Sequence, residues 1–284
     1  MQSKEEMELF ANEIRTELIR TFRRRGNGHI GGSLSIADLL AVLYSGTMRV
    51  DPEDPRWAER DLLVCSKGHA GPALYAALAL KGFFPKEWLM TLNEGGTRLP
   101  SHCDRERTPG IDASTGSLGQ GISQAAGMAL GVKLDGSART VYCIVGDGEC
   151  QEGQVWEAAM FAAHYGLDSL ILFVDWNKKQ LDGTLAEIMD LGSLEEKFRV
   201  FGWDAVTVKG SDHMAVLDAI RRAKERTGRP SAIVLDTVKG AGIPAVEARR
   251  FCHHMALSPE FCDEMLAYLE EQAERLKEAC VCSI

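Results

Sequence analysis

The sequence predicts an α/β fold, a mostly parallel sheet with helices on both faces. Short apolar runs such as "TVYCIV" (Thr140–Val145) and "LILFV" (Leu170–Val174) read as buried strands. They alternate with segments of helical periodicity, which argues for βαβ units. The glycine- and acid-rich stretch "GDGECQEG" (Gly146–Gly153) directly follows a strand, at the end where open parallel sheets bind ligands.

Residues 4–25 carry Met7, Phe10, Ile14, Leu18 and Phe22 on one broad face, an amphipathic helix stopped by Gly26-Asn27-Gly28. A second helix is expected over Ser35–Tyr44, with Ser35 as N-cap and Asp38 three residues on. Asp61–Ser66 reads as a strand and Pro72–Leu80 as a helix with proline in its first turn. Asn93–Ser117 is a long loop, a length usually reserved for functional segments. Gly119–Leu134 follows as a helix of small residues. Strand Thr140–Val145, helix Glu152–Tyr165 and strand Ser169–Asp175 then alternate. They continue as helix Leu194–Phe201, strand Ala205–Val208, helix Asp212–Arg226 and strand Ala232–Asp236. A helix over about 259–279 closes what reads as one domain over residues 1–284.

The net charge of −9 argues against nucleic acid or an anionic membrane as a partner, so an anionic ligand needs local cations. "LILFV" is far too short to span a bilayer, and "MQSKEEMELF" lacks the apolar core of a signal peptide; a cytoplasmic location is expected. The cysteines include no C-x-x-C, and the C-x-C of Cys280 and Cys282 has no second pair, so no zinc site is expected.

Two strand ends carry the chemistry. Asp147 offers a carboxylate oxygen and Asn177 an amide oxygen, and the loop beyond Asn177 adds backbone carbonyls. A hard cation such as Mg²⁺ takes such a set, with phosphate oxygens and water completing the octahedron. Gly146 and Gly148 leave room for a diphosphate, and N–H groups opening the next helix are expected to face it. Position 151 is Gln, so this is not G-x-G-x-x-G; "GSLGQG" has its glycines in the wrong order, and no G-K-[ST] exists. His29, His69 and His102 each follow Gly or Ser in a turn, away from apolar periodicity, which suits a site for anions and sugar hydroxyls.

The G-D-G followed by Asn resembles the thiamine diphosphate motif, and "GDGECQEGQVWEAAMFAAHYGLDSL" resembles transketolase, in particular the N-terminal subunit of split transketolases. "GNGHIGGSLSIADLLAVLY", "SKGHAGPALYAAL", "LPSHCD", "STGSLGQGIS" and "TVKGAGI" agree in order, from about residue 6 to about residue 270. The resemblance implies that Asp147 and Asn177 ligate Mg²⁺ or Ca²⁺ through side chains, and Lys179 through its carbonyl. It implies Gly148 and His69 at the diphosphate, and Gly116, Ser117 and Leu118 near the cofactor rings. Lys67 and Lys239 are implied as cations close to the site, and His29, His102 and His253 at the sugar's reacting end. The family's Trp-His-Gly is replaced here by "CHH", Cys252–His254, with His253 matched to the catalytic histidine. Glu152 resembles a carboxylate at the subunit contact, and also suits the start of a helix.

The implied reaction is transfer of a two-carbon ketol unit from a ketose phosphate to an aldose phosphate. In the resembled family the glutamate that activates the cofactor, and arginines that grip the sugar phosphate, lie in a pyrimidine-binding domain. The resemblance therefore implies a partner subunit carrying that domain, in a heterotetramer. A 2-oxo acid dehydrogenase α-like subunit is disfavoured by the loop histidines. A non-catalytic cofactor-binding homologue is disfavoured by the intact Asp147 and Asn177.

Overall fold

The computed structural model describes residues 3–225 and 228–282, with side chains as far as Glu278. The side chains of Cys280 and Cys282 lie outside that range.

Helix α1 (Lys4–Arg25) opens with a capping box, in which Ser3 and Glu6 satisfy each other's backbone N–H, and ends at Gly26 with φ +79°. A two-residue strand β1 (Asn27–Gly28) leads into α2 (Ile30–Leu34) and α3 (Ala37–Val42). The helix expected over Ser35–Tyr44 is present as α3 and a π-helical turn, Leu43–Thr47, that continues it, but its expected N-cap is corrected. Ser35 ends α2 instead of capping a helix, and its Oγ donates to Gly32 O and to Asp175 Oδ2. Asp38 is drawn off to a buried Arg15 at 2.6 Å. Ile30–Thr47 is apolar enough by length and composition to cross a membrane, but here it is 89% buried within the protein.

Next come β2 (Leu62–Cys65), α4 (Gly71–Leu80), α5 (Gly121–Leu134), β3 (Val141–Gly146), α6 (Gly153–His164) and β4 (Leu170–Trp176). The chain continues through α7 (Leu185–Ile188), α8 (Leu194–Val200), β5 (Asp204–Lys209), α9 (His213–Ala223) and β6 (Ser231–Asp236). It ends with α10 (Pro244–Glu247), β7 (Met255–Ala256) and α11 (Pro259–Cys282).

Five strands pair in the order β2-β3-β4-β6-β5, all parallel. Side chains alternate between faces because the strand period is two. Tyr142, Ile144, Ile171 and Phe173 join a core with α1, α3, α4, α9 and α11. Val141, Cys143, Val145, Leu172 and Val174 join another with α5, α6 and α8. Both faces of the central strands are therefore dry, which explains their unbroken apolar runs. All the parallel strands point their carboxyl ends the same way, and the site is built there.

Candidate active site

Strands β3 and β4 are neighbours, with Gly146 opposite Asp175, so their carboxyl ends meet. Asp147 is buried there. Its Oδ1 accepts from Gly148 N at 2.8 Å and its Oδ2 from Lys178 N at 2.6 Å. Lys178 has φ +66°, the left-handed turn that carries the chain past Asp147. Asn177 Oδ1 accepts from Lys179 N at 3.2 Å, and the Lys179 carbonyl accepts from the Lys239 ammonium at 2.8 Å. Burial first, and the neighbouring Asp175 second, push the Asp147 carboxyl up to about 7. A cation at this point would restore its charge. Among the described residues no group of three or more His, Cys, Asp and Glu could hold a metal ion. The available set, one carboxylate with an amide and a carbonyl oxygen, suits a hard cation that takes its other ligands from phosphate and water.

The glycine amides of the loop between β3 and α6 are engaged within the protein, while α6 itself opens one residue from the start expected at Glu152. Gly148 N is taken by Asp147, and Gly146 N by Glu149 Oε2 at 3.0 Å. Residues 149–151 form a single 3₁₀ turn, and α6 starts at Gly153. The reason is Glu149, a buried carboxylate with no role predicted from sequence. Its Oε1 accepts from Ser66 Oγ at 2.5 Å and from Gly119 N at 2.9 Å, so one side chain ties the loops after β2 and β3 to the one before α5.

Asp175 is a second such anchor. It is fully buried, and its Oδ2 accepts from Lys67 Nζ at 2.5 Å, Ser35 Oγ at 2.7 Å and Asn177 Nδ2 at 2.7 Å. Lys67, expected as a cation for the cofactor, is itself buried and also donates to Gly32 O at 2.8 Å. Its charge is matched by Asp175, and it acts as a brace beneath the site. Lys239 is the more open cation. Burial, then repulsion from Lys67, lowers its ammonium to about 8, and it contacts His253 Nδ1 at 3.1 Å.

Above the strand ends stand imidazole rings drawn from four places in the chain. From His29, ring centroids lie at 5.6 Å for His69, 6.0 Å for His102, 5.4 Å for His253 and 4.8 Å for His254; His69 and His253 are 4.6 Å apart. Burial is the first cause lowering His29 to about 4 and His253 to about 3, followed by nearby imidazoles and Lys239; His69 is lowered for similar reasons. Near neutral pH these three rings are uncharged, each with one donor and one acceptor nitrogen. His164 is exposed at the end of α6, and His213 is buried within 3.3 Å of Asp38, both away from the cluster.

Close backbone approaches complete the bowl. A Cβ on Gly68 would meet Gly116 N at 2.8 Å, and Gly116 itself has φ +145° beside the His102 ring. Ser117 and Leu118 are exposed on the rim, and Glu152 is exposed at the N-cap of α6 without a capping hydrogen bond. Cys252 is buried against the Gly31 backbone, whose Cβ would come within 2.4 Å of Cys252 O. The second histidine of "CHH", unassigned from sequence, stands beside His29.

Residues 7–269 match the family described as transketolase, thiamine diphosphate binding domain. The chain is 52% identical over 262 residues to the 6-deoxy-6-sulfo-D-fructose transketolase subunit SqwG of Clostridium sp. strain MSTE9, covering 92% of this chain and 95% of that protein. It is 36% identical over 273 residues to an apulose-4-phosphate transketolase subunit of Phocaeicola vulgatus, covering 96% and 97% respectively. Among solved structures, Campylobacter jejuni transketolase matches with a TM-score of 0.88 and 30% identity over 96% of this chain. The chain spans 43% of that enzyme's length. With nearly its whole length matched in sequence and in fold, the chain belongs to the transketolase family, as a thiamine diphosphate-binding domain.

Proposed function

We propose that this chain is the cofactor-binding subunit of a two-chain transketolase whose donor is a 6-deoxy-6-sulfo ketose. The reaction moves a two-carbon ketol unit from that donor to an aldose phosphate. The observation that carries the reading is the meeting of Asp147, Asn177 and the Lys179 carbonyl at the ends of β3 and β4, beneath the imidazole cluster. The sulfonated donor is supported by the 52% identity to the Clostridium subunit.

Thiamine diphosphate, when bound, supplies the carbon nucleophile and electron sink that ketol transfer requires. Asp147 and Asn177 would hold Mg²⁺ or Ca²⁺ through side chains and Lys179 through its carbonyl, with Gly148 and His69 toward the diphosphate. Gly116, Ser117 and Leu118 would line the cofactor's rings. Lys67 keeps Asp175 neutralised, and Lys239 offers a positive charge beside the Lys179 carbonyl. His29, His102 and His253 would orient the sugar; an uncharged imidazole can accept a hydroxyl proton at its free nitrogen and return it.

The partner is a second chain carrying the pyrimidine-binding domain, in a cytoplasmic heterotetramer. The naming of the two curated relatives as subunits supports it. The test is to co-purify the chain with the product of a neighbouring gene and to measure ketol transfer with Mg²⁺ and cofactor. Transfer by the pair, with 6-deoxy-6-sulfofructose preferred over fructose 6-phosphate, is expected. Full activity of the isolated chain would overturn the two-chain reading, and a preference for the phosphate ester would overturn the sulfonated donor.

A further inference from the structure

The carboxyl ends of β6 and β5 carry a second hollow, of about 620 Å³, walled by α1, α11 and the start of α9. We infer that it binds the phosphate monoester of a small polyol, at a place separate from the cradle of Asp147, Asn177 and Lys179. None of those three residues lines it, and no ring of the histidine cluster does. Such a site is independent of the ketol-transfer reading.

One turn fixes its position relative to the cradle. Lys178 N donates to Asp147 Oδ2 at 2.6 Å, while the Lys178 ammonium reaches Asp236 and, at 2.7 Å, the Thr237 carbonyl. Strand β4 lies between β3 and β6, so the backbone of this turn serves the cradle and the Lys178 side chain lines the hollow. Ligands of open parallel sheets bind beyond the carboxyl ends of the strands, and small-molecule sites usually measure about 300–1,000 Å³.

Most of the charge in the hollow is matched inside the protein. Arg15 pairs with Asp38 at 2.6 Å and Lys178 with Asp236. Glu8 has Lys4 at 3.4 Å, and Glu247 accepts the Gly242 amide at 2.8 Å. Lys209, by contrast, makes no ion pair among the described residues. It ends β5 next to the start of α9, where Asp212 N donates to Lys209 O at 3.0 Å. Asp212 caps the helix through the Ala215 amide at 3.0 Å, and the amides of His213 and Met214 have no acceptor among the described residues. An unmatched lysine next to open amides at a helix N-terminus is a seat for phosphate oxygens.

The observation that points to a ligand is His213. Its residue is 3% exposed and its Nε2 stands 3.3 Å from Asp38 Oδ1, yet neither ring nitrogen makes a hydrogen bond of sound geometry. Buried polar groups are nearly always paired, and an oxyanion in the hollow would accept from this ring. The remaining lining suits hydroxyls. Ser211, Tyr268 and Gln272 make no side-chain hydrogen bond among the described residues. A hydroxyl, a phenol and an amide all donate and accept, which matches a polyol body.

The probe is glycerol 1-phosphate, with inorganic phosphate and glycerol as controls. Histidine ring resonances of the full chain are followed during titration, and H213N assigns the His213 signal. That signal should shift saturably with the ester, more weakly with inorganic phosphate and not with glycerol. Calorimetry needs no such assignment. Lys209 is exposed, and K209Q should weaken binding of the ester about tenfold, K209E more. In the reconstituted pair, saturating thiamine diphosphate and Mg²⁺ should leave the affinity for the ester unchanged. A silent His213, full affinity in K209Q, or inorganic phosphate binding as tightly as the ester would overturn the inference. So would displacement by thiamine diphosphate, which would put the ester in the cradle, or loss of binding in the pair, whose partner chain would then cover the hollow. A pair that binds the ester but transfers no ketol unit would sink the proposed function and leave this site standing.

Discussion

The cradle around Asp147 hangs from the ends of adjacent strands, whereas the histidine cluster hangs from loops clamped to one another. In the cradle, Asp147, Asn177 and Lys179 belong to one βαβ unit, and their positions follow from the pairing of β3 with β4. In the cluster, His29, His69, His102 and His253 come from four separate segments. Glycine contacts and a two-residue ladder bring them together. Rigidity in the cradle comes from buried charge, and in the cluster from close backbone packing. The two regions should therefore fail differently when damaged.

The largest effect is expected at Asp175. Removing it leaves Lys67 as a buried charge with only the Gly32 carbonyl for company. D175A should destabilise the chain by about 3–5 kcal/mol in urea unfolding, the usual result of breaking a buried pair. A loss below about 1 kcal/mol would mean that water reaches Lys67, and that the cradle is no more rigid than the loops. D147N comes next and separates binding from folding. The variant keeps the shape and one acceptor for the Gly148 and Lys178 amides, but loses the charge a metal requires. Calorimetry with thiamine diphosphate and Mg²⁺ should record a fall in affinity of about a hundredfold or more, with the urea midpoint little changed.

The cradle was legible in the sequence because its signals are local. An acid between glycines follows one apolar run, and an asparagine follows the next. Its supports were not legible, since they are long-range. Asp175 is 108 residues from Lys67 and 140 from Ser35, and Glu149 is 83 from Ser66. Nothing in a strand-ending "VDWN" tells which distant cation will neutralise the aspartate. Ser35 was misread for the same reason: a serine before an apolar run looks like a cap until a buried carboxylate claims its hydroxyl. The histidines stood out as loop residues, but only resemblance to a family gathered them into one place. His254 remained ambiguous because the ladder that seats it spans only two residues a side, too short for any periodicity.

A smaller effect is expected at His29, where the loop-built side can be tested through its protons. H29N should lower kcat of the reconstituted pair by about tenfold to a hundredfold, at the low end for proton-transfer groups because other imidazoles stand close. The pH arm has a definite sign. His29 falls from its ordinary 6.5 to about 4 in the folded chain, surrounded by His69, His102, His253, His254 and Lys239. Between those values the unfolded chain binds more protons, so its contribution to stability is present above about 6.5 and lost as pH falls toward 4. H29N should flatten that part of the stability profile of the cofactor-free chain, while D147N should steepen it, because the Asp147 carboxyl, raised to about 7 in the folded chain, opposes the His29 slope over the same range. An unchanged slope in H29N would mean that the ring is better hydrated than its neighbours imply.

The smallest effect tests the clamp itself. Gly28 lies so close to α1 that a Cβ there would sit 2.2 Å from the ring of Phe22, a buried member of the core. G28A must move either the ring or the strand. Overpacking of this kind costs about 1–3 kcal/mol, and the cheaper movement is that of β1, whose ladder with β7 is only two residues long. If β1 shifts, His29 and His254 separate. KM for a charged donor should then rise in the reconstituted pair while the affinity for thiamine diphosphate stays within about twofold, since the ends of β3 and β4 are untouched. A variant that unfolds at lower urea, with cofactor affinity weakened and KM raised together, would show that the two regions share one mechanical unit. A rise in KM alone would show that the loop-built half can be loosened while the strand-built half holds.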